Sequence, residues 1–305
     1  MATLCRDGVG FSMALIASNL SRRTFALGSA AWASGAGAGQ ALQGSTDQST
    51  VRVAAVGGLA LCGVWPLLAA QAEQDLRLRV QTVAATPKEG VLQAFAQGAA
   101  EVLLIHTSDE ALGLEAADLA SAARVWAWNE HVVIGPETDP VGAARARDGL
   151  DAMQRIAQAQ APFIALRDPG SYTVVQRLWR RAGIRANERW VRMDTSPTSQ
   201  SVMHQARVQQ AYVVAGHIPW AFGKMTAPGL RVLLRGDPQM RRPYVVLTPG
   251  PRHPASVRAR HDAARLADYL ISPAGQAALQ VVDQQAGGPW LFARSSVPHT
   301  IGDIP

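Results

Sequence analysis

Short apolar runs alternate with segments of helical periodicity along most of the chain, and this pattern constrains the fold more than any other feature. The runs VRVAAV (51–56), EVLLIH (101–106) and QAYVVAG (210–216) have the length and apolar content of buried strands. Amphipathic or apolar stretches, several ending at a glycine, lie between such runs. This alternation predicts an α/β chain with a parallel sheet covered by helices.

Two runs share a second pattern, an apolar strand followed by a proline-rich turn. They are VVIGPETDP (132–140) and YVVLTPGPRHP (244–254). Paired crossings of this kind would join two lobes, with the chain leaving the first lobe and returning to it. We expect lobe 1 to contain residues 40–130 and 241–305, the latter with the C-terminal helices, and lobe 2 to contain residues 131–240. A ligand would then lie in the cleft, near strand C-termini and helix N-termini.

The first residues have the order of a secretory signal. Arg22 and Arg23 precede Phe25, an Ala- and Gly-rich apolar region follows, and small residues occupy positions 36–39. The paired arginines resemble the twin-arginine motif. We expect residues 1–39 to be a twin-arginine signal peptide, with the twin-arginine translocase as a partner and the periplasm as the destination. The alternative is a chance Arg-Arg pair before a buried helix.

The segment VAAVGGLALCGVWPLLAA (53–70) has no charged residue and is long enough to span a bilayer. Glycines at 57, 58 and 63 and a proline at 66 interrupt it, and a β-like run precedes it. We therefore predict a buried strand, a turn and a helix here. A membrane anchor is the alternative.

Composition limits the classes of partner. Hydrophobic residues make up 48% of the 305 residues and charged residues 17%, which predicts a sizeable core. The net charge of +6 would suit nucleic acid, an acidic membrane or a small anion. The arginines form no dense run, which argues against a nucleic-acid partner. The two cysteines do not have a zinc-type spacing.

The stretch LRDPGSYTVVQRLW (166–179) places a cation and a small hydroxyl residue where a helix begins. Helix N-termini present unpaired N–H groups and the positive end of the helix dipole. Arg167, Gly170 and Ser171 are therefore candidate anion ligands. The alternative is a capped helix, with Ser171 as a cap and with a surface ion pair between Arg167 and Asp168 or a neighbouring acid.

An ordered set of segments resembles the periplasmic tungstate-binding proteins of ABC importers, over residues from about 51 to 276. The segments include WNEHVVIGPETDPVG (128–142), APFIALRDPGSYT (161–173), LLRGDPQMRRPYVVLTPGPRHP (233–254) and DYLISPAGQ (268–276). The resemblance implies a type II periplasmic binding-protein fold: two α/β lobes, a ligand cleft and a hinge with two crossings. It also implies capture of a tungstate- or molybdate-type oxyanion for an ABC permease and ATPase. Neither enzyme activity nor a cofactor or metal is implied, since the ligand is itself the oxyanion.

The resemblance also assigns site positions. Where the family has a Thr-Thr-Ser run after its first strand, this chain has Gly57 and Gly58, which could form an N–H cradle or only a tight turn. Thr86 is the nearest candidate for the threonine of the second loop. Thr195 and Ser196 face the same cleft in the family layout. Each of these hydroxyl residues could instead belong to an ordinary turn or cap.

Two other functions stay open at this point. The missing hydroxyl run favours a protein of the same fold that binds a small organic anion or acts as a sensor module. Ser171, His106 and Asp168 could form the triad of a serine hydrolase, but no Gly-x-Ser-x-Gly elbow surrounds the serine. We interpret His106 and His217 as strand-end residues rather than ligands.

Overall fold

The computed structural model describes residues 49–296, so the predicted signal peptide, residues 1–39, lies outside the described part. The described residues form ten strands and ten α-helices. The strands are β1 (Thr50–Val56), β2 (Arg79–Thr86), β3 (Val102–His106), β4 (Arg124–Pro136), β5 (Phe163–Ala165), β6 (Val191–Met193), β7 (Tyr212–Gly216), β8 (Leu230–Leu234), β9 (Arg241–Leu247) and β10 (Leu291–Ala293). The helices are α1 (Gly57–Leu61), α2 (Val64–Leu76), α3 (Lys88–Ala96), α4 (Asp109–Ala116), α5 (Gly149–Gln158), α6 (Pro169–Ala182), α7 (Ser199–Val208), α8 (His217–Ala221), α9 (Val257–Ile271) and α10 (Pro273–Gln285).

The apolar segment 53–70 continues β1 into α1 and α2, so the predicted buried strand, turn and helix are confirmed. Gly63 separates the two helices with φ of 77°, in the left-handed region that glycine adopts without strain. Trp65 and Leu68 of α2 are buried in the core. Among the described residues, no helix has both the length and the apolar character needed to cross a membrane.

One sheet passes through both lobes in the order β2-β1-β3-β9-β4-β7-β5-β6, and β8 and β10 pair with β4. Strands β1, β2 and β3 pair in parallel, as do β5, β6 and β7. The expectation of a wholly parallel sheet is wrong at β4 and β9, which run antiparallel to their neighbours. The chain crosses between the lobes twice in opposite directions, so the two crossing strands must oppose each other.

Strand β4 is much longer than its predicted core, VVIG. Its residues Arg124–Glu130 pair with β9, and its residues His131–Ile134 pair with β7. Trp126, in its first half, is fully buried and belongs to a hydrophobic core cluster. The sequence does not predict β6 and β10, because three residues carry too little periodicity.

Each lobe packs apolar side chains on both faces of its part of the sheet. In β7, Tyr212 and Val214 belong to one buried cluster, and Val213 and Ala215 belong to another. Alternate residues of β1 and β3 are divided between two further clusters in the same way. Helices therefore cover both faces of the sheet within each lobe.

Candidate anion-binding site

A cavity of about 580 Å³ lies among residues of both lobes and of the crossing strands. This volume is within the usual range for ligand sites, roughly 300–1,000 Å³. Four of the residues predicted from sequence line the cavity together: Gly58, Arg167, Ser171 and Ser196. They come from α1, the start of α6 and the loop before α7. The fold thus brings together residues that are more than a hundred positions apart in the chain.

The other four predicted residues do not line the cavity: Gly57, Thr86, Gly170 and Thr195. The hydroxyl of Thr86 is exposed and donates to the carbonyl of Pro87 at 3.2 Å. Thr195 is exposed, whereas its neighbour Ser196 is buried, because successive residues of the extended loop point in opposite directions. Gly170 is buried in the first turn of α6, and a Cβ there would overlap the Arg242 guanidinium.

The start of α6 is already capped. The Asp168 carboxylate accepts hydrogen bonds from the backbone N–H groups of Gly170 and Ser171, both at 3.1 Å. Arg167 donates from Nη2 to the carbonyl of Ser196 at 3.2 Å. This use of Asp168 matches the capped-helix alternative, with Asp168 as the cap in place of Ser171, and disfavours a Ser171–His106–Asp168 triad. An anion at this place would therefore need donors beyond the helix terminus.

Arg242 supplies such a donor, and sequence reasoning did not select it. Its Nη2 donates to the carbonyl of Thr107 at 2.9 Å, and its guanidinium lies against Gly170 and lines the cavity. Burial lowers the pKa of Arg242, an effect that the nearby Asp168 carboxylate opposes. A guanidinium nevertheless stays protonated in proteins. Arg242 is thus a partly buried cation at the cavity, with N–H donors to spare.

Strand pairing places three further polar side chains beside Arg242. In the β4–β9 register Asn129 lies opposite Arg242, and in the β3–β9 register His106 lies opposite Tyr244. The rings of His106 and Tyr244 stack with centroids 4.0 Å apart. His131 follows two residues after Asn129 and is also buried. Residues two apart on a strand share a face, so these groups meet at one place.

Four buried polar atoms of the cavity make no hydrogen bond of good geometry with the described residues, although the Asn129 side chain interacts with the His106 ring. They are His106 Nε2, Asn129 Oδ1, His131 Nδ1 and Ser196 Oγ. Leaving such an atom unsatisfied costs about 1–3 kcal/mol, so native proteins rarely do it. Several of these atoms around one cavity indicate a place where a ligand or water supplies the missing partners.

Both imidazoles are neutral at neutral pH. Burial lowers the pKa of His131 to about 4, and the positive charge of Arg242 acts in the same direction while Asp168 opposes it. Burial also lowers the pKa of His106 well below its usual range, with Arg242 and His131 contributing. A neutral imidazole has one N–H donor and one acceptor nitrogen. Each ring can therefore donate to an anion without itself carrying charge.

We expect the free energy of unfolding to fall as the pH falls from about 7 to 4. The unfolded His131 takes up a proton near pH 6.5, whereas the folded one does so only near pH 4. Between these values the unfolded state binds more protons, which costs on the order of 3 kcal/mol for this residue alone. The lowered pKa of His106 likewise makes the free energy of unfolding fall as the pH falls.

Urea unfolding at several pH values tests this expectation. The variant His131→Gln should flatten the pH dependence below pH 6.5. The control His204→Gln removes an exposed imidazole on α7 and should leave the slope unchanged. Parallel curves for wild type and His131→Gln would show that His131 titrates normally in the folded state.

His217, the other histidine considered from sequence, lies at the hinge rather than in the cavity lining. Its Nδ1 is 2.9 Å from Oε1 of the buried Glu130, at the point where β4 passes between the lobes. Glu130 Oε2 accepts from the N–H of Gly236 at 2.8 Å. The contacts of His217 therefore stabilise the fold and do not form part of the cavity. Within the part of the chain that the structure describes, no group of His, Cys, Asp and Glu side chains could hold a metal ion.

Comparisons with known proteins agree with this architecture. No protein-family profile matches the sequence. A Haloferax volcanii protein described as an ABC transporter anion-binding protein is 25% identical over 285 residues, covering 90% of this chain and 78% of that protein. The structure of the tungstate ABC transporter from Geobacter sulfurreducens superposes with a TM-score of 0.60 at 21% identity, covering 76% of this chain and 98% of the other.

The tungstate-binding protein of Desulfovibrio alaskensis G20 is similar too, with a TM-score of 0.59 at 20% identity, covering 75% of this chain and 92% of the other. At such identities the structural likeness establishes the fold and leaves the ligand open. The chain has the type II periplasmic binding-protein fold, and the resemblance predicted from its sequence, to the tungstate-binding proteins of ABC importers, is confirmed.

Proposed function

We propose that this protein is the extracytoplasmic solute-binding component of an ABC importer and captures a tetrahedral oxyanion, of the tungstate or molybdate type, between its lobes. The observation that carries the proposal is the partly buried Arg242 guanidinium, which lines a cavity with unsatisfied polar atoms. The similar proteins are described as anion-binding and tungstate transport proteins, which supports the same role here.

The chemistry of the lining suits an oxyanion. Arg242 offers a planar pair of N–H donors, Ser196 offers a hydroxyl and His131 offers a neutral imidazole. Selectivity in such a site comes from directed donors matched to the oxygens, with little need for a full countercharge. The cation would also raise the association rate through electrostatic steering. The lobes would close over the ligand by bending at β4 and β9.

The export route and the lobe limits are parts of the same proposal. Residues 1–39 would direct the chain through the twin-arginine translocase to the periplasm, where the permease and ATPase subunits of the importer would receive the ligand. Lobe 1 would comprise residues 40–130 and 241–305, and lobe 2 residues 131–240. The change of partner strand along β4, between Glu130 and His131, supports these limits.

The first test is a set of thermal shifts with tungstate, molybdate, sulfate and phosphate. A ligand at 100 times its Kd stabilises the folded state by about 2.7 kcal/mol, which raises the melting temperature measurably. We expect such a shift with tungstate or molybdate. The absence of a shift with every anion, at concentrations up to the millimolar range, would contradict the proposed function.

Replacing Arg167 by alanine should weaken oxyanion binding about tenfold, the loss expected for one charged hydrogen bond. The Arg167 side chain lines the cavity and also holds the Ser196 carbonyl, so its removal loosens one wall. Titration calorimetry would give the affinity. The control Arg192→Ala removes an equal charge from an exposed site on β6 and should change the affinity less than twofold. Equal losses in both variants would mean that only overall charge matters.

A further inference from the structure

The cavity has an apolar part that an inorganic ion would not use. Four buried apolar side chains line it: Leu166, Val202, Ile218 and Met225. They belong to the end of β5, to α7, to α8 and to the loop after α8, whereas the unpartnered ring and amide atoms belong to β3 and β4. A tetrahedral inorganic oxyanion is polar on all sides and gains nothing from contact with apolar surface.

The volume of the cavity also favours an organic ligand. A cavity of about 580 Å³ is large enough for a small organic molecule, and an inorganic oxyanion would fill only part of it. Organic ligands are typically held by apolar walls, with a few placed polar groups that fix their orientation. This cavity has both kinds of lining in adjoining elements, with the polar groups gathered around Arg242.

We infer that the ligand is an organic oxyanion, a phosphonate or sulfonate head group on a compact apolar body. This inference rests on the proposed function, because it keeps oxyanion capture by a solute-binding protein in the same cavity, and it replaces tungstate or molybdate with an organic ligand. The head group takes hydrogen bonds from Arg242 and the two neutral imidazoles. The body lies against Val202, Ile218 and Met225. Phosphonates and sulfonates share the chemistry that matters here, a tetrahedral oxyanion bonded to carbon.

The test compares alkyl chains of increasing length on a constant head group. The purified full chain is titrated with methyl-, propyl- and pentylphosphonate, with the corresponding sulfonates and carboxylates, and with phosphate, sulfate, tungstate and molybdate. Burial of one methylene strengthens binding by about fourfold. We expect affinity to rise by about this factor per methylene in the phosphonate series or the sulfonate series, and to exceed that of every inorganic anion.

The outcomes separate this inference from the proposed function. If affinity does not change with alkyl chain length and tungstate or molybdate binds most tightly, the inference of an organic ligand is wrong. The proposed capture of an inorganic oxyanion would then still hold. If carboxylates bind more tightly than phosphonates and sulfonates of equal chain length, the inference of a tetrahedral head group is wrong. If no anion of the panel binds, the inference and the proposed function both fail.

A matched pair of variants tests whether the apolar body of the ligand contacts the wall formed by Val202. Val202→Thr places a hydroxyl in the apolar wall with almost no change in shape, and it should reduce the ratio of pentyl- to methylphosphonate affinity about fivefold. Val208→Thr makes the same change on the same helix at a side chain that is 65% exposed, and the ratio should not change. If the ratio of pentyl- to methylphosphonate affinity is the same in the two variants, the ligand does not contact Val202 as inferred. If Val202→Thr does not fold, Met225→Gln tests the same wall from another element.

Discussion

Replacement of Arg242 by methionine should weaken anion binding by about 100-fold or more. The guanidinium is the partly buried cation of the cavity, and its loss removes a pair of charged hydrogen bonds, each worth about 1.5–3 kcal/mol. Methionine keeps the length of the aliphatic part of the side chain, but it lacks the Nη1 and Cζ atoms that lie against Gly170. The affinity is measured by titration calorimetry with whichever anion gives the largest thermal shift.

Two companion variants make the Arg242 result interpretable. Arg242→Lys keeps the charge but loses the planar pair of N–H donors. We expect its anion affinity to be about tenfold below wild type, which is between the affinities of wild type and Arg242→Met. Arg192→Met removes an exposed arginine outside the cavity and should bind like wild type. Binding by Arg242→Met within threefold of wild type, in a sample that melts normally without ligand, would show that the anion is held elsewhere.

Replacement of Gly275 by alanine should lower the free energy of unfolding by about 3 kcal/mol or more. The segment DYLISPAGQ ends α9 and begins α10 at Pro273, and Gly275 lies in the first turn. A Cβ on Gly275 would overlap the carbonyl oxygen of Tyr269 and lie 2.8 Å from its carbonyl carbon. Both are backbone atoms, so relief requires the two helices to move apart. Strain of this kind is among the few causes of large mutational losses.

Gly113→Ala is the matched control, with the opposite expected sign. Gly113 lies inside α4, and nothing is within 4 Å of a Cβ built there. Alanine in a helix interior is more stable than glycine by about 0.5–1 kcal/mol. Urea unfolding curves of both variants measure the change in midpoint at constant slope. A Gly275→Ala variant as stable as wild type would mean that α9 and α10 are not in close contact at this turn.

The candidate site was only partly predictable from the sequence. Arg167 and Ser171 follow from local signals, a cation and a hydroxyl beside the start of a helix, whereas Gly58 and Ser196 follow from the family resemblance, and all four line the cavity. Arg242 lies near the start of β9, which adjoins no predicted helix start. Its neighbour Arg241 faces the other way, with its guanidinium carbon 3.7 Å from the centre of the Phe292 ring. Nothing local to the Arg-Arg pair distinguishes the residue in the cavity from the one outside it.

By itself the sequence determined most of the helices and strands, although not β6 and β10, because helix and strand periods and glycine stops act over a few residues. It also determined the α/β class, and through its ordered segments it predicted the binding-protein fold. Only the tertiary structure decided which polar groups meet. Strand pairing places Asn129 opposite Arg242 and His106 opposite Tyr244, contacts across more than a hundred residues that no local pattern encodes. Burial, which keeps His131 neutral and leaves its Nδ1 without a partner, is likewise a property of the assembled lobes.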